Sequence, residues 1–118
     1  MTKHANAIEY FKKSYLHFIR SGDNISAAYE LCNIGEVYYD SGDLIQALKY
    51  LQEAAEHMNN LEDKRHAAIQ LQSMATFYEK INQQQLAQKC CLDSIKLLEI
   101  YGDERDISNA KKKLIKYS

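Results

Sequence analysis

This chain of 118 residues contains no proline. Proline inside a helix removes a backbone donor and clashes with the turn before it, so nothing here interrupts long helices in that way. Glycine is scarce too, with four. Gly22, Gly42 and Gly102 stand at breaks between apolar-periodic stretches and read as turn residues, while Gly35 stands inside one. Glycines so dispersed form no phosphate-cradling loop. Cysteine is limited to Cys32, Cys90 and Cys91. An odd count without regular spacing is no disulfide framework, and no metal-ligand spacing surrounds these thiols, so they read as packing or simply exposed residues. No apolar run reaches the ~20 residues of a membrane helix, and no apolar signal core follows Met1 to Asn6. These absences predict a cytoplasmic protein. The net charge of −1 gives no general pull toward nucleic acid or an anionic membrane surface.

Catalytic groupings are also missing from the pattern. His4, His17, His57 and His66 are scattered, and no carboxylate motif accompanies them. There is no serine nucleophile elbow. The sequence predicts no enzyme, no cofactor and no metal site. The run Lys111-Lys112-Lys113 with Lys116 reads as a solvated helix face that complements the helix dipole near its C-terminus.

Hydrophobic residues make up 46% and charged residues 26%, the balance of one folded domain rather than a disordered chain. That domain spans 1–118. The apolar residues recur at a helical period, and the pattern itself returns after 40 residues. Leu31, Ile34, Gly35 and Tyr38 return as Leu71, Met74, Ala75 and Tyr78. Ala7, Phe11 and Ser14 return as Ala47, Leu51 and Ala54, then as Ala87, Cys91 and Ser94. Asp23, Asp43, Asp63 and Asp103 fall at multiples of half that period, with Asn82 or Gln83 in the remaining slot. A short acidic or amide side chain caps a helix start, so a new helix begins about every 20 residues.

Six helices follow, expected near 2–20, 24–40, 44–59, 64–81, 84–101 and 104–116. Asp43 and Gln46 have the spacing of a capping box for the third. Gly35 costs ~1 kcal/mol against alanine in mid-helix, which implies that a neighbouring helix comes close there. The fold class is all-α: stacked antiparallel helical hairpins. Segments 24–60 and 64–101 are whole copies, 1–20 matches the second helix of a copy, and 104–118 matches the first.

Leu31, Ile34, Gly35, Tyr38, Ala47 and Leu51 resemble the tetratricopeptide repeat, with Asn59 where that pattern has proline. Leu71, Met74, Ala75, Tyr78, Ala87 and Cys91 give a looser second copy. The period is longer than the ~34 residues usual in the family, with the extra residues around Glu62 to Ala67. The resemblance implies a right-handed α-solenoid and a role in protein–protein interaction, with a peptide or helix held in a concave groove.

In such proteins the first helix of each hairpin lines the groove. The matching positions are Tyr29, Cys32, Asn33, Glu36, Tyr39 and Asp40, then Ile69, Gln72, Ser73, Thr76, Glu79 and Lys80, with Asn109, Lys112 and Lys116 from the last helix. Chaperone-tail binders of the family carry Lys and Asn where Cys32, Glu36, Gln72 and Thr76 stand here, so that ligand is not expected. The expected partner is a protein or peptide, not nucleic acid or membrane. Two alternatives remain: a piece of a larger peptide-responsive regulator, or a scaffold that self-associates through Ile8, Tyr15, Ile107 and Ile115 on its terminal helices.

Overall fold

Four aspartates set where helices begin. In the computed structural model, which describes residues 2–117, the carboxylates of Asp23, Asp43, Asp63 and Asp103 accept from the backbone N–H groups of Ser26, Gln46, His66 and Asp106, at distances from 2.9 to 3.0 Å. Thr2 caps in the same way, accepting from Ala5 at 3.1 Å. Each cap satisfies a donor that the first helical turn leaves over, worth ~1 kcal/mol. The reciprocal capping box occurs at Asp103 and Asp106.

The helices are α1 (Lys3–Ser21), α2 (Asn24–Asp40), α3 (Leu44–Asn59), α4 (Lys64–Lys80), α5 (Gln84–Tyr101) and α6 (Glu104–Lys116). No strand occurs among the described residues, and the chain is all-α. The fourth helix stops at Lys80, one residue short of its expected end, with Ile81 as its C-cap. Two of the turns use glycine with positive φ, Gly22 at 80° and Gly42 at 91°; before α5, Asn82 takes that conformation at 60°. Asparagine tolerates it better than most side chains do.

The chain divides into two compact units, residues 1–57 and 58–118. In the first, α1 packs on α2, and α2 meets α3 at Gly35. A Cβ added to Gly35 would lie 3.0 Å from the Leu51 Cγ and 3.1 Å from the Ala47 carbonyl oxygen. That close approach is the packing reason for a mid-helix glycine. Next to it, the rings of Tyr38 and Tyr50 stack at 5.5 Å and 15°. No side chain of α1 is buried. Ile19 of α1 and Leu44 at the start of α3 are 37% and 40% exposed.

In the second unit, α4 and α5 form a tight antiparallel pair. Leu71, Met74, Ala75 and Tyr78 are buried on α4, and Ala87, Cys91, Ser94 and Leu98 on α5. Helix α6 adds Ala110 to a cluster of Ala68, Ile95 and Leu98, edged by Leu97, Ile107 and Leu114. Ile115, next along the helix from Leu114, is 72% exposed. Each helical residue turns by ~100°, so once Leu114 points inward its successor is carried off the buried side. No helix among the described residues is long and apolar enough to cross a membrane.

Candidate functional site

On α2 the positions expected to line a groove lie away from Leu31 and Ile34. Tyr29, Asn33, Glu36 and Tyr39 are half-buried, and Asp40 is exposed. Cys32 is the exception: it is fully buried, so its thiol cannot meet a partner, and it leaves the candidate set. Glu30, two residues before it, has its carboxyl pushed up by burial, and a hydrogen bond with Asn33 pulls the other way.

On α4 the expected positions are mostly engaged within the chain. The Gln72 side-chain amide donates to the Ser94 hydroxyl at 3.2 Å, and that hydroxyl donates to the Ala68 carbonyl at 2.7 Å. Ser94 is fully buried, and this pair of bonds ties α5 to α4. The Lys113 ammonium of α6 donates to the Gln72 carbonyl and, at 2.8 Å, to the Thr76 hydroxyl. Glu79 takes two groups from the chain's end: the Lys116 ammonium of α6 at 3.2 Å on one oxygen, and the hydroxyl of Tyr117, the C-cap of α6, at 3.0 Å on the other. At the opposite end Arg65 donates twice to Asp106, at 2.7 and 3.0 Å. Gln72, Thr76 and Glu79 are therefore not an open groove wall, because α6 lies along them. Ile69 is 38% exposed and Ser73 half-buried; Lys80 is exposed with its ammonium over the Phe77 ring at 5.2 Å.

The electrostatics follow from these contacts. The Lys116 and Tyr117 bonds hold the Glu79 carboxyl below the usual range. The Arg65 fork does the same for Asp106. Burial draws the Lys113 ammonium down, and burial with the Glu79 bond pushes the Tyr117 phenol up to about 12.

Lys113 was expected on a solvated face with Lys111 and Lys112, and it is half-buried instead. The spacing carries the signal: Asp106, Ala110, Lys113 and Tyr117 fall at alternating steps of four and three, one stripe of a helix. Lys112 sits on another side of α6, exposed, in a shallow hollow of about 330 Å³ with Ile107, Ile115 and Lys111. It is therefore not brought together with Gln72 and Glu79. Asn109 is exposed.

A larger opening lies in the first unit. A cleft of about 690 Å³ runs between α1 and the C-terminal end of α2, lined by Ile8, Leu16 and Tyr38 and edged by His4, Lys12 and Lys13. Sequence reasoning did not single it out, although Ile8 and the 1–20 segment's match to a second helix marked this side of α1. Glu9 pairs with Lys13 at 3.4 Å, and Lys12 lies 5.9 Å from the centre of the Tyr50 ring. Deeper along α1, the Tyr15 hydroxyl meets a ring nitrogen of His57 at 3.3 Å. Burial, with the Glu53 charge behind it, pushes the Tyr15 phenol up.

The three thiols are buried and reduced. Burial pushes the Cys90 thiol up to about 12, with Asp93 adding to it. Burial also raises Cys91, against the pull of the Lys113 charge. Neither has the lowered pKa of a nucleophilic cysteine. Among the described residues no cluster of three or more histidine, cysteine, aspartate and glutamate side chains is placed to hold a metal ion. No family model matches this chain, and neither a curated protein nor a solved structure matches it.

Proposed function

We propose that the chain is a non-catalytic protein-interaction module of the tetratricopeptide type, taking a peptide or an amphipathic helix against its helix faces. The observation that carries this reading is the α1–α2 cleft, whose apolar lining lies open on a helical hairpin scaffold. An opening of that size takes one or two anchor side chains of an incoming helix, and such anchors supply most of the energy of an interface. Tyr29, Asn33, Glu36 and Tyr39 of α2, the positions that the family resemblance assigns to a groove, are half-buried, and their variants test that assignment.

The test is affinity capture with three baits of equal helicity by circular dichroism: the native chain, Leu16→Asp with Ile8→Asp, and Tyr29→Ala with Glu36→Lys and Tyr39→Ala. The expected outcome is a stoichiometric partner held by the native chain and lost from at least one variant. Equal capture by all three sinks the reading.

A further inference from the structure

Helix α1 carries charge of one sign. Lys3, Lys12, Lys13 and Arg20 stand against a single acidic residue, Glu9, so the helix has a formal charge of +3 within a chain of −1. Its first turn holds Lys3 and His4 and no acidic residue, at the end where the helix dipole is already positive. One of these charges also breaks the apolar stripe that lines the cleft. Ala5, Ile8, Lys12 and Leu16 follow one another at steps of three and four, so Lys12 stands one turn from Ile8 and one turn from Leu16. Its ammonium lies 5.9 Å from the centre of the Tyr50 ring, and Tyr50 stacks on Tyr38 of the cleft. The neighbouring carboxylates leave this charge unanswered. Glu9 is paired with Lys13 at 3.4 Å, and Glu53, which lines the adjoining hollow with Lys12, makes no ion pair with it.

A helix laid over both Ile8 and Leu16, ~12 Å apart along α1, has to pass over Lys12. A wholly apolar occupant strips water from that ammonium and returns nothing, which is costly. A carboxylate at the same point answers the charge in a place shielded from solvent. We infer that the cleft between α1 and α2 takes an acidic amphipathic helix from a separate protein, with apolar side chains on Ile8, Leu16 and Tyr38 and carboxylates on Lys12 and Lys13. The last helix of a second copy is a poorer fit, because its exposed Ile115 is flanked by Lys111 and Lys112 and one basic rim would meet another. A flat lipid surface does not reach into a cleft between two helices. The inference rests on the cleft being a docking site, as proposed above.

The probes are two fluorescein-labelled helical peptides that differ in charge alone. Both carry leucine at i, i+4, i+7 and i+11, one with glutamate and the other with lysine at the positions between. Anisotropy titration against the full chain is expected to give at least about tenfold tighter binding of the glutamate peptide, although the chain as a whole is negative. Lys12→Glu with Lys13→Glu, matched to the native chain by circular dichroism, is expected to reverse that preference. Salt gives a reading that needs no variant: raising it to about 0.5 M is expected to weaken the glutamate peptide at least about threefold on the native chain. No binding of the glutamate peptide, equal affinity for the two, indifference to salt, or a preference that survives the charge swap overturns the inference. A native chain that sediments as a dimer and becomes a monomer in Leu16→Asp overturns it too, since a second copy is then the occupant. So does flotation of the native chain, and not of the swapped one, with vesicles of phosphatidylserine and phosphatidylcholine. If both peptides bind equally and both are lost in Ile8→Asp with Leu16→Asp, the cleft stands as a docking site and its selection for acid falls.

Discussion

Gly35 shows how a single absent atom sets the distance between two helices. Alanine there gains ~1 kcal/mol of helix propensity. It also places a Cβ against the Leu51 side chain and the Ala47 carbonyl oxygen, and the carbonyl is fixed in its own helix. Overpacking of this kind costs ~1–3 kcal/mol, so the clash outweighs the propensity. Gly35→Ala is expected to lower stability by about 1 kcal/mol in urea denaturation, and a stabilised variant refutes the close approach. Ser94→Ala removes a buried hydroxyl that both donates and accepts, and a loss of ~1 kcal/mol is expected by the same measurement.

Glu79 and Asp106 give the residue scale a pH signature. Both carboxyls are held below their unfolded values in the folded chain, Glu79 by Lys116 and Tyr117 with Lys113 nearby, Asp106 by Arg65. The folded state then binds fewer protons than the unfolded one. Stability from these contacts is therefore fully present above the unfolded pKa near 4 and is lost as pH falls through the lower folded value. Stability measured from pH 6 downward is expected to fall below pH 4.5, and less steeply in Glu79→Gln. Parallel curves for the two proteins contradict this account.

At the scale of the element, helix starts were written plainly in the sequence. Asp23, Asp43, Asp63 and Asp103 all cap, because capping is local chemistry within one turn. The buried stripes of α2, α4 and α5 were equally legible from their period. The candidate groove was much less so. Which face of α4 stays open depends on what lies alongside it, and no local pattern states that. The register that equates Gln72, Thr76 and Glu79 with a groove wall is correct as helix geometry but does not reveal that Lys113, Lys116 and Tyr117 cover them. Lys113 was misread for a related reason: a lysine run looks solvated until one member has a carbonyl to reach. Asp103 offers a test at this scale. Asp103→Ala breaks the capping box of a helix with little buried surface, and α6 amides are expected to exchange several-fold faster while those of α5 do not change.

For the whole molecule, the composition and the fold meet in the kinetics of folding. Sequence-adjacent helices pack on one another within each unit, and contacts of that kind form quickly. The slow steps common in refolding are proline isomerisation and disulfide exchange. This chain has no proline, and its three cysteines are free. Refolding by stopped flow is expected to finish within a second, with no phase of tens of seconds. Such a phase would point to association or misfolding instead.

The sealed sulfurs also make the protein its own stopwatch. Cys32 belongs to residues 1–57, and Cys90 and Cys91 to residues 58–118. A thiol dye in solution reacts with each only after its surroundings part, so the modification rate times that parting at each thiol. Alkylation of Cys90 and Cys91 therefore clocks the opening of the α5 core without any introduced label.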